Sequence, residues 1–384
     1  MRLDWELSCS ACGATREAVG LATVCERCRQ PWLVRYPDRR RPDLAAWERL
    51  PQGDGMWRYR PFLPLAEGEE PVTLGEGETP LLRAPRIAAR LGLRDLWVKD
   101  EAANPTGSFK ARGLSAAVTR AVYAGTVRFV IPTAGNAGVA AAAYAARAGA
   151  AVRVYAPRDT PPAILAQIRA FGGDLVVLDG HIGDCGMAAR AWAAESGAFD
   201  LSTLREPYRI EGKKTLGLEL ARQLGWRLPR AVIYPTGGGT GLIGMWKAFS
   251  ELREAGWVRD SPPRMFSVQS SGCAPIVRAF EAGDSAATPW PAPHTAASGL
   301  RVPAPLGDRL MLRVLRASGG AAIAVSDEEL LEETRRGAVE EGLDLCPEGG
   351  AALAAARHLL ARGLLDPADC IVVFNTGAGW LYRR

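Results

Sequence analysis

Lysine is nearly missing from this sequence. Only Lys99, Lys110, Lys213, Lys214 and Lys247 occur among 47 lysine and arginine residues in a chain of 384, so arginine is the default cation and each lysine calls for a reason. No apolar run approaches the roughly eighteen residues that cross a bilayer, and no membrane partner is expected. The opening MRLDWELSCSACG lacks the charged-then-apolar pattern of a secretory leader, so a cytoplasmic location is expected. The net charge of +5 is spread along the chain without a basic block or an aromatic-basic stripe, and nucleic acid is not an expected partner. No internal repeat of about 20 to 50 residues occurs, which excludes a solenoid or a propeller.

What remains has the makeup of a globular protein, 48% hydrophobic and 23% charged, long enough for two or three domains. The cysteines divide unevenly. Cys9, Cys12, Cys25 and Cys28 form two C-x2-C pairs, whereas Cys185, Cys273, Cys346 and Cys370 are scattered. The first four have the ligand number and loop size of a structural zinc ribbon, in which paired thiolates on two tight turns close a tetrahedral site. Four protein ligands leave no open coordination position, so such a zinc would hold structure and would not catalyse. Gly13 follows the first pair, as these turns prefer, whereas Arg29 follows the second. This ribbon-like segment is expected to occupy residues 1–36, and the Pro- and Arg-rich stretch after it reads as an arm over 37–69.

From LRDLWVKDE onward, short β-rich runs alternate with amphipathic or alanine-rich stretches. Strands are expected at 127–132, 151–156, 174–178, 231–235, 265–269 and 371–375, and helices at 136–148, 161–171, 183–196, 211–224, 241–254, 327–341 and 349–362. That order predicts an α/β fold with parallel sheets, right-handed crossovers, and ligand-binding loops at the C-terminal ends of strands.

The strand ends carry unusual chemistry. AVIYP runs into TGGGTGLIG, where Gly237, Gly238, Gly239, Thr240 and Gly241 let the backbone approach an anion at a helix start. The stretch lacks the Lys-Ser/Thr of a nucleotide P-loop and the spacing of G-x-G-x-x-G, so one compact phosphate suits it better than a dinucleotide. Asn136, in IPTAGNAG, opens a helix as either a ligand donor or an N-cap. Thr376 lies between Asn375 and Gly377 in FNTGAGW. Lys110 follows a Gly-Ser-Phe turn in NPTGSFKARG. It is either a solvated first-turn lysine or a desolvated amine able to lose its proton and add to a carbonyl, which arginine cannot do. A phosphate cradle, a singular lysine and polar strand ends together suggest pyridoxal 5'-phosphate.

From about residue 70 onward the chain resembles the fold-type II, tryptophan-synthase-β-like family of pyridoxal-phosphate enzymes, and within it the threonine synthases. The resemblance is carried by VKDEAANPTGSFKARG, TAGNAGVAAAAYAARAG, PYRIEGKKT, PTGGGTGLIG and FNTGAG. It implies two parallel-type α/β domains, a large one from 70–102 and 201–384 and a small one from 103–200, and a homodimer. By the same resemblance, Lys110 would hold the cofactor and move protons, Asn136 would bond the pyridoxal 3′-oxygen, the 237–241 loop would hold the phosphate, and Thr376 would face the pyridine nitrogen. Thr133 and Arg209 would contact a small phosphorylated amino-acid substrate. The implied activity is conversion of O-phospho-L-homoserine and water to L-threonine and phosphate. A cysteate-synthase-like β-replacement enzyme and a serine/threonine dehydratase are the alternatives, whereas a binding scaffold without a cofactor would need neither the lysine nor the glycine loop.

The chain departs from the family pattern in three places. Ala111 stands where an aspartate usually follows the lysine. Ser202-Thr203-Leu204-Arg205-Glu206 replaces an Asn-Ser-x-Asn segment that helps bind the substrate phosphate, with Arg205 or Thr203 as other donors and a surface role the plainer reading of Arg205. CPEGGA replaces Glu-Pro-Ala-Ser, and Glu348 is read there as the first-turn acid of the following helix.

Overall fold

The computed structural model describes residues 3–49 and 55–383; residues 1, 2, 50–54 and 384, which fall within the expected ribbon, arm and large domain, lie outside the described residues. The chain gathers into two units. One contains Met1–Glu78 and Lys110–Thr215, the other Thr79–Phe109 and Leu216–Arg383.

In the first unit, alternating burial makes a small antiparallel sheet of β1 (Glu6–Cys9), β2 (Thr15–Glu17) and β3 (Trp32–Arg35), with β1 in the centre. Leu7, Cys9, Trp32 and Val34 are buried while their neighbours along each strand are more exposed, as a sheet with one covered face requires. The same unit holds a parallel sheet of β6 (Arg128–Pro132), β7 (Ala151–Pro157), β8 (Asp174–Leu178) and β9 (Phe199–Asp200), in the order β8-β7-β6-β9. The helix Asn136–Arg147 is buried along most of its length and packs on β6 and β7. Its alanines and Gly138 allow the close approach that long side chains would prevent.

The second unit is built on a six-stranded sheet. Its strands are β4 (Leu81–Arg83), β5 (Asp95–Asp100), β10 (Ala231–Pro235), β11 (Arg264–Ser270), β12 (Ala321–Val325) and β13 (Cys370–Asn375), in the order β12-β11-β10-β13-β5-β4. All pair in parallel except β4, which runs antiparallel to β5. Every residue of β10 is buried, and so is β13 after Cys370, which is why these strands read as continuous apolar runs. The alanine-rich helix Pro347–Ala361 packs on β10, β11, β12 and β13.

All six expected strands form, as β6, β7, β8, β10, β11 and β13. The additional strands β5 and β12 have sequences, DLWVKD and AAIAV, that are charged or alanine-rich and become strands through pairing with β13 and β11. Among the described residues no helix is long and apolar enough to cross a membrane.

Candidate active site

Lys110 opens the helix Lys110–Tyr123. The residues before it are pinned within the second unit: the Phe109 N–H donates to Thr376 O at 3.1 Å, the Ala378 N–H donates to Gly107 O at 2.8 Å, and Ser108 bridges Gly377. The NPTGSF turn is thereby tied to the FNTGAG strand end, and Lys110 is the next residue in the chain. Lys99, Lys213 and Lys214 are fully buried, Lys214 is 2.6 Å from Glu211, and Lys247 pairs with Glu251. Lys110 remains partly exposed at its helix start.

In the first unit, Asn136 is the first residue of its helix and is buried. The preceding turn is fixed by Thr133, whose Oγ1 donates to Gly135 O at 2.8 Å and accepts from the N–H groups of Gly135 and Gly138 at 3.1 and 3.3 Å. The helix Tyr208–Gln223 carries Arg209, which is 1% exposed. Its Nη1 donates to Leu201 O at 2.8 Å, and Nε and Nη2 are buried without a partner among the described residues. A buried guanidinium with two open donors and no carboxylate in ion-pair range among those residues is chemically able to receive an anion. Arg205 differs: it is half-buried and 4.0 Å from Asp200.

The PYRIEGKKT helix is also held by the end of the ribbon-like segment. Tyr36 Oη donates to Glu211 Oε2 at 2.6 Å, and Lys214 Nζ lies 4.6 Å from the Tyr36 ring centre. In the same segment, the sulfur atoms of Cys9, Cys12, Cys25 and Cys28 all lie within 4.8 Å of one another. Tetrahedral zinc with bonds of about 2.3 Å needs thiolates about 3.8 Å apart, so the four fit the ion. Gly13 and Arg29 both take the left-handed conformation, at φ 71° and 61°, so the second turn keeps the shape of the first despite its arginine.

In the second unit, Gly239 caps the helix Thr240–Glu254 at φ 81°, and a Cβ there would meet Met311 Sδ at 2.3 Å. A Cβ on Gly237 would lie 2.2 Å from Gly299 O. The helix beginning here leaves its first-turn N–H groups without intrahelical acceptors, the donor set that a phosphate needs. Beside the loop, Ser298 Oγ and Glu348 Oε2 are buried with no hydrogen-bond partner among the described residues. The backbone cradle and the Ser298 hydroxyl supply donors that fit a phosphorylated cofactor, whereas the Glu348 carboxylate, an acceptor, does not serve a phosphate.

Thr376 follows β13, buried, with Oγ1 3.7 Å from Cys346 Sγ. Asn375 locks this corner by donating to Asp100 Oδ1 at 2.8 Å and accepting the Cys346 N–H at 3.1 Å. Burial, reinforced by the Glu348 charge, pushes the Cys346 thiol far above its usual range, so it stays protonated. Glu348 does stand in the first turn of its helix, but it is 4% exposed and accepts the Gly299 N–H at 2.7 Å. A Cβ at 299 would meet Glu348 Oε1 at 2.7 Å, so this carboxylate is accommodated because residue 299 is glycine. Its reading as a helix-dipole acid alone was incomplete. The altered CPEGGA motif was visible in the sequence; the depth of its glutamate was not.

A family model described as "Pyridoxal-phosphate dependent enzyme" matches residues 72–377. The threonine synthase of Methanocaldococcus jannaschii is 34% identical over 97% of this chain and 91% of its own length. That of Mycobacterium leprae is 34% identical over 84% of this chain and 86% of its own. Among solved structures, a threonine deaminase from T.th. superposes with a TM-score of 0.66 at 28% identity, covering 78% of this chain and 92% of that one.

Proposed function

The chain belongs to the pyridoxal-phosphate dependent enzymes, and from that premise we propose that it is a threonine synthase, converting O-phospho-L-homoserine and water to L-threonine and phosphate. The observation that carries the reading is the buried Arg209 guanidinium with two open N–H donors, in a chain that is similar to threonine synthases over nearly its whole length. When bound, pyridoxal phosphate supplies an aldehyde for a lysine amine and a ring that withdraws electrons from the substrate carbons.

Lys110 is the lysine for that aldehyde and carries protons to and from the substrate Cα and Cβ. The backbone of Gly237 to Gly241 holds the cofactor phosphate, with Thr240 at the helix start. Asn136 bonds the ring oxygen. Thr376 would offer a neutral hydroxyl to the ring nitrogen, a partner that would leave the ring less positive than a carboxylate would. Thr133 orients the substrate, and Arg209 binds its phosphate in two-pronged fashion until that group leaves. Zinc on Cys9, Cys12, Cys25 and Cys28 has a structural role.

A serine/threonine dehydratase is the second reading, favoured by the similarity to a threonine deaminase and by the altered 202–206 segment. Incubation with O-phospho-L-homoserine, and separately with serine and threonine, decides between them. Threonine and phosphate in equal amounts are expected. Ammonia and a 2-oxo acid from serine or threonine, with O-phospho-L-homoserine untouched, would replace the first reading by the second.

A further inference from the structure

Next to the Arg209 anion site lies an acid that the reaction above does not use. Glu206 is 1% exposed. Its carboxylate caps the helix Tyr208–Gln223, accepting the Tyr208 N–H at 2.7 Å and the Arg209 N–H at 3.1 Å from each oxygen. Among the described residues, neither it nor the Arg209 guanidinium makes a direct ion pair, and the two charges act on each other through space. The other charges around them are Asp200, which accepts from Ser202 and lies 4.0 Å from Arg205, with Arg120 and Glu211 acting on the intervening Tyr208.

A phosphate monoester is mostly a dianion above about pH 6. Entering this site with Glu206 ionised, it would meet one positive and one negative charge in a buried setting where neither is screened. With Glu206 protonated it would meet the guanidinium and a carboxylic O–H that can donate to it. We propose that Glu206 takes up one proton from solvent when a phosphate dianion enters the Arg209 site, so that binding of the phosphorylated substrate is coupled to proton uptake. This rests on the reading that Arg209 receives the substrate phosphate. Burial, opposed by Arg209 and the two backbone donors, holds the Glu206 carboxyl up to about 7, within range of such a switch.

The consequence is a pH-dependent affinity. Below the Glu206 titration, binding is insensitive to its proton. Above it, affinity for the phosphorylated substrate falls about tenfold per pH unit, because each binding event must draw a proton from a scarcer supply.

The test uses holoenzyme and sulfate, a dianion with no proton to gain in this range. Calorimetry of sulfate binding at pH 8 in two buffers of different ionisation enthalpy counts the protons taken up. The wild type is expected to take up close to one. Glu206→Gln, whose amide imitates the protonated acid, is expected to take up none and to bind sulfate more tightly. In steady state, KM for O-phospho-L-homoserine should climb about tenfold per unit above about pH 7 in the wild type and stay level in the variant. Sulfate binding without proton uptake, or uptake that persists in Glu206→Gln, would overturn the role of Glu206 while leaving Arg209 as the anion site. Failure of the wild type to bind either sulfate or the phosphorylated substrate would overturn the Arg209 assignment and this inference with it.

Discussion

Replacing Gly212 with alanine tests how the chain holds its lysine in place. Gly212 lies on the helix Tyr208–Gln223, and a Cβ there would sit 2.0 Å from Arg112 O, 2.7 Å from Arg112 C and 2.8 Å from Gly113 Cα. Ordinary contact begins near 3.4 Å, and the obstruction is backbone, so no rotamer change relieves it. The two helices must separate by more than an ångström. Overpacking of this kind costs about 1–3 kcal/mol or somewhat more, and alanine's better helix propensity returns up to about 1 kcal/mol. A net loss of roughly 2 kcal/mol lowers Tm by about 4–8 °C in a unit of this size. The shift also reaches function, since Arg112 lies in the first turn of the helix that begins at Lys110. A misplacement of about 1 Å at a reacting group can cost on the order of a hundredfold in rate. Thermal unfolding by circular dichroism and phosphate release from O-phospho-L-homoserine measure the two effects. Gly183→Ala is the control, because a Cβ there meets nothing within 4 Å, and it should be neutral or slightly stabilising. If Gly212→Ala matched the wild type in both Tm and rate, the close helix contact would not be what positions Lys110.

Lys110→Ala should abolish the covalent link to the cofactor: the yellow absorption of the wild type disappears, and borohydride reduction followed by mass spectrometry finds the modification on Lys110 in the wild type. A reduced adduct on any other lysine would remove Lys110 from its role. Chelation of zinc should loosen the ribbon and, through the loss of the Tyr36 contact to Glu211, raise KM for the phosphorylated substrate while the cofactor colour persists; metal analysis finding no zinc in protein prepared without chelators would refute the assignment. Glu206 also links stability to pH. Its carboxyl is held up to about 7 in the folded protein against an ordinary 4.5 for glutamate, so its contribution is fully present below pH 4.5 and is lost as pH rises through 7. The loss is on the order of 3 kcal/mol, and Glu206→Gln should remove that slope from denaturant titrations; identical slopes would show that the buried acid titrates normally.

Much of this protein is written locally. The four ribbon cysteines, the glycines of 237–241 and the turn before Lys110 are legible because ligand spacing and backbone freedom are properties of a few adjacent residues. The fully buried strands β10 and β13 are legible for a related reason: parallel strands covered on both faces must be apolar throughout. Local pattern fails where pairing decides, as at β12, whose alanines become a strand beside β11.

The altered segments show the same division more sharply. That Glu206 and Glu348 break the family pattern is plain from the sequence alone. That both are buried, one beside a guanidinium with open donors and the other against Gly299, is decided only by folding. So is the bond between Tyr36 and Glu211, 175 residues apart. The sequence specifies which groups can ionise; the tertiary structure, by setting how much water and which partners surround each one, decides what the charge costs and so what it can do.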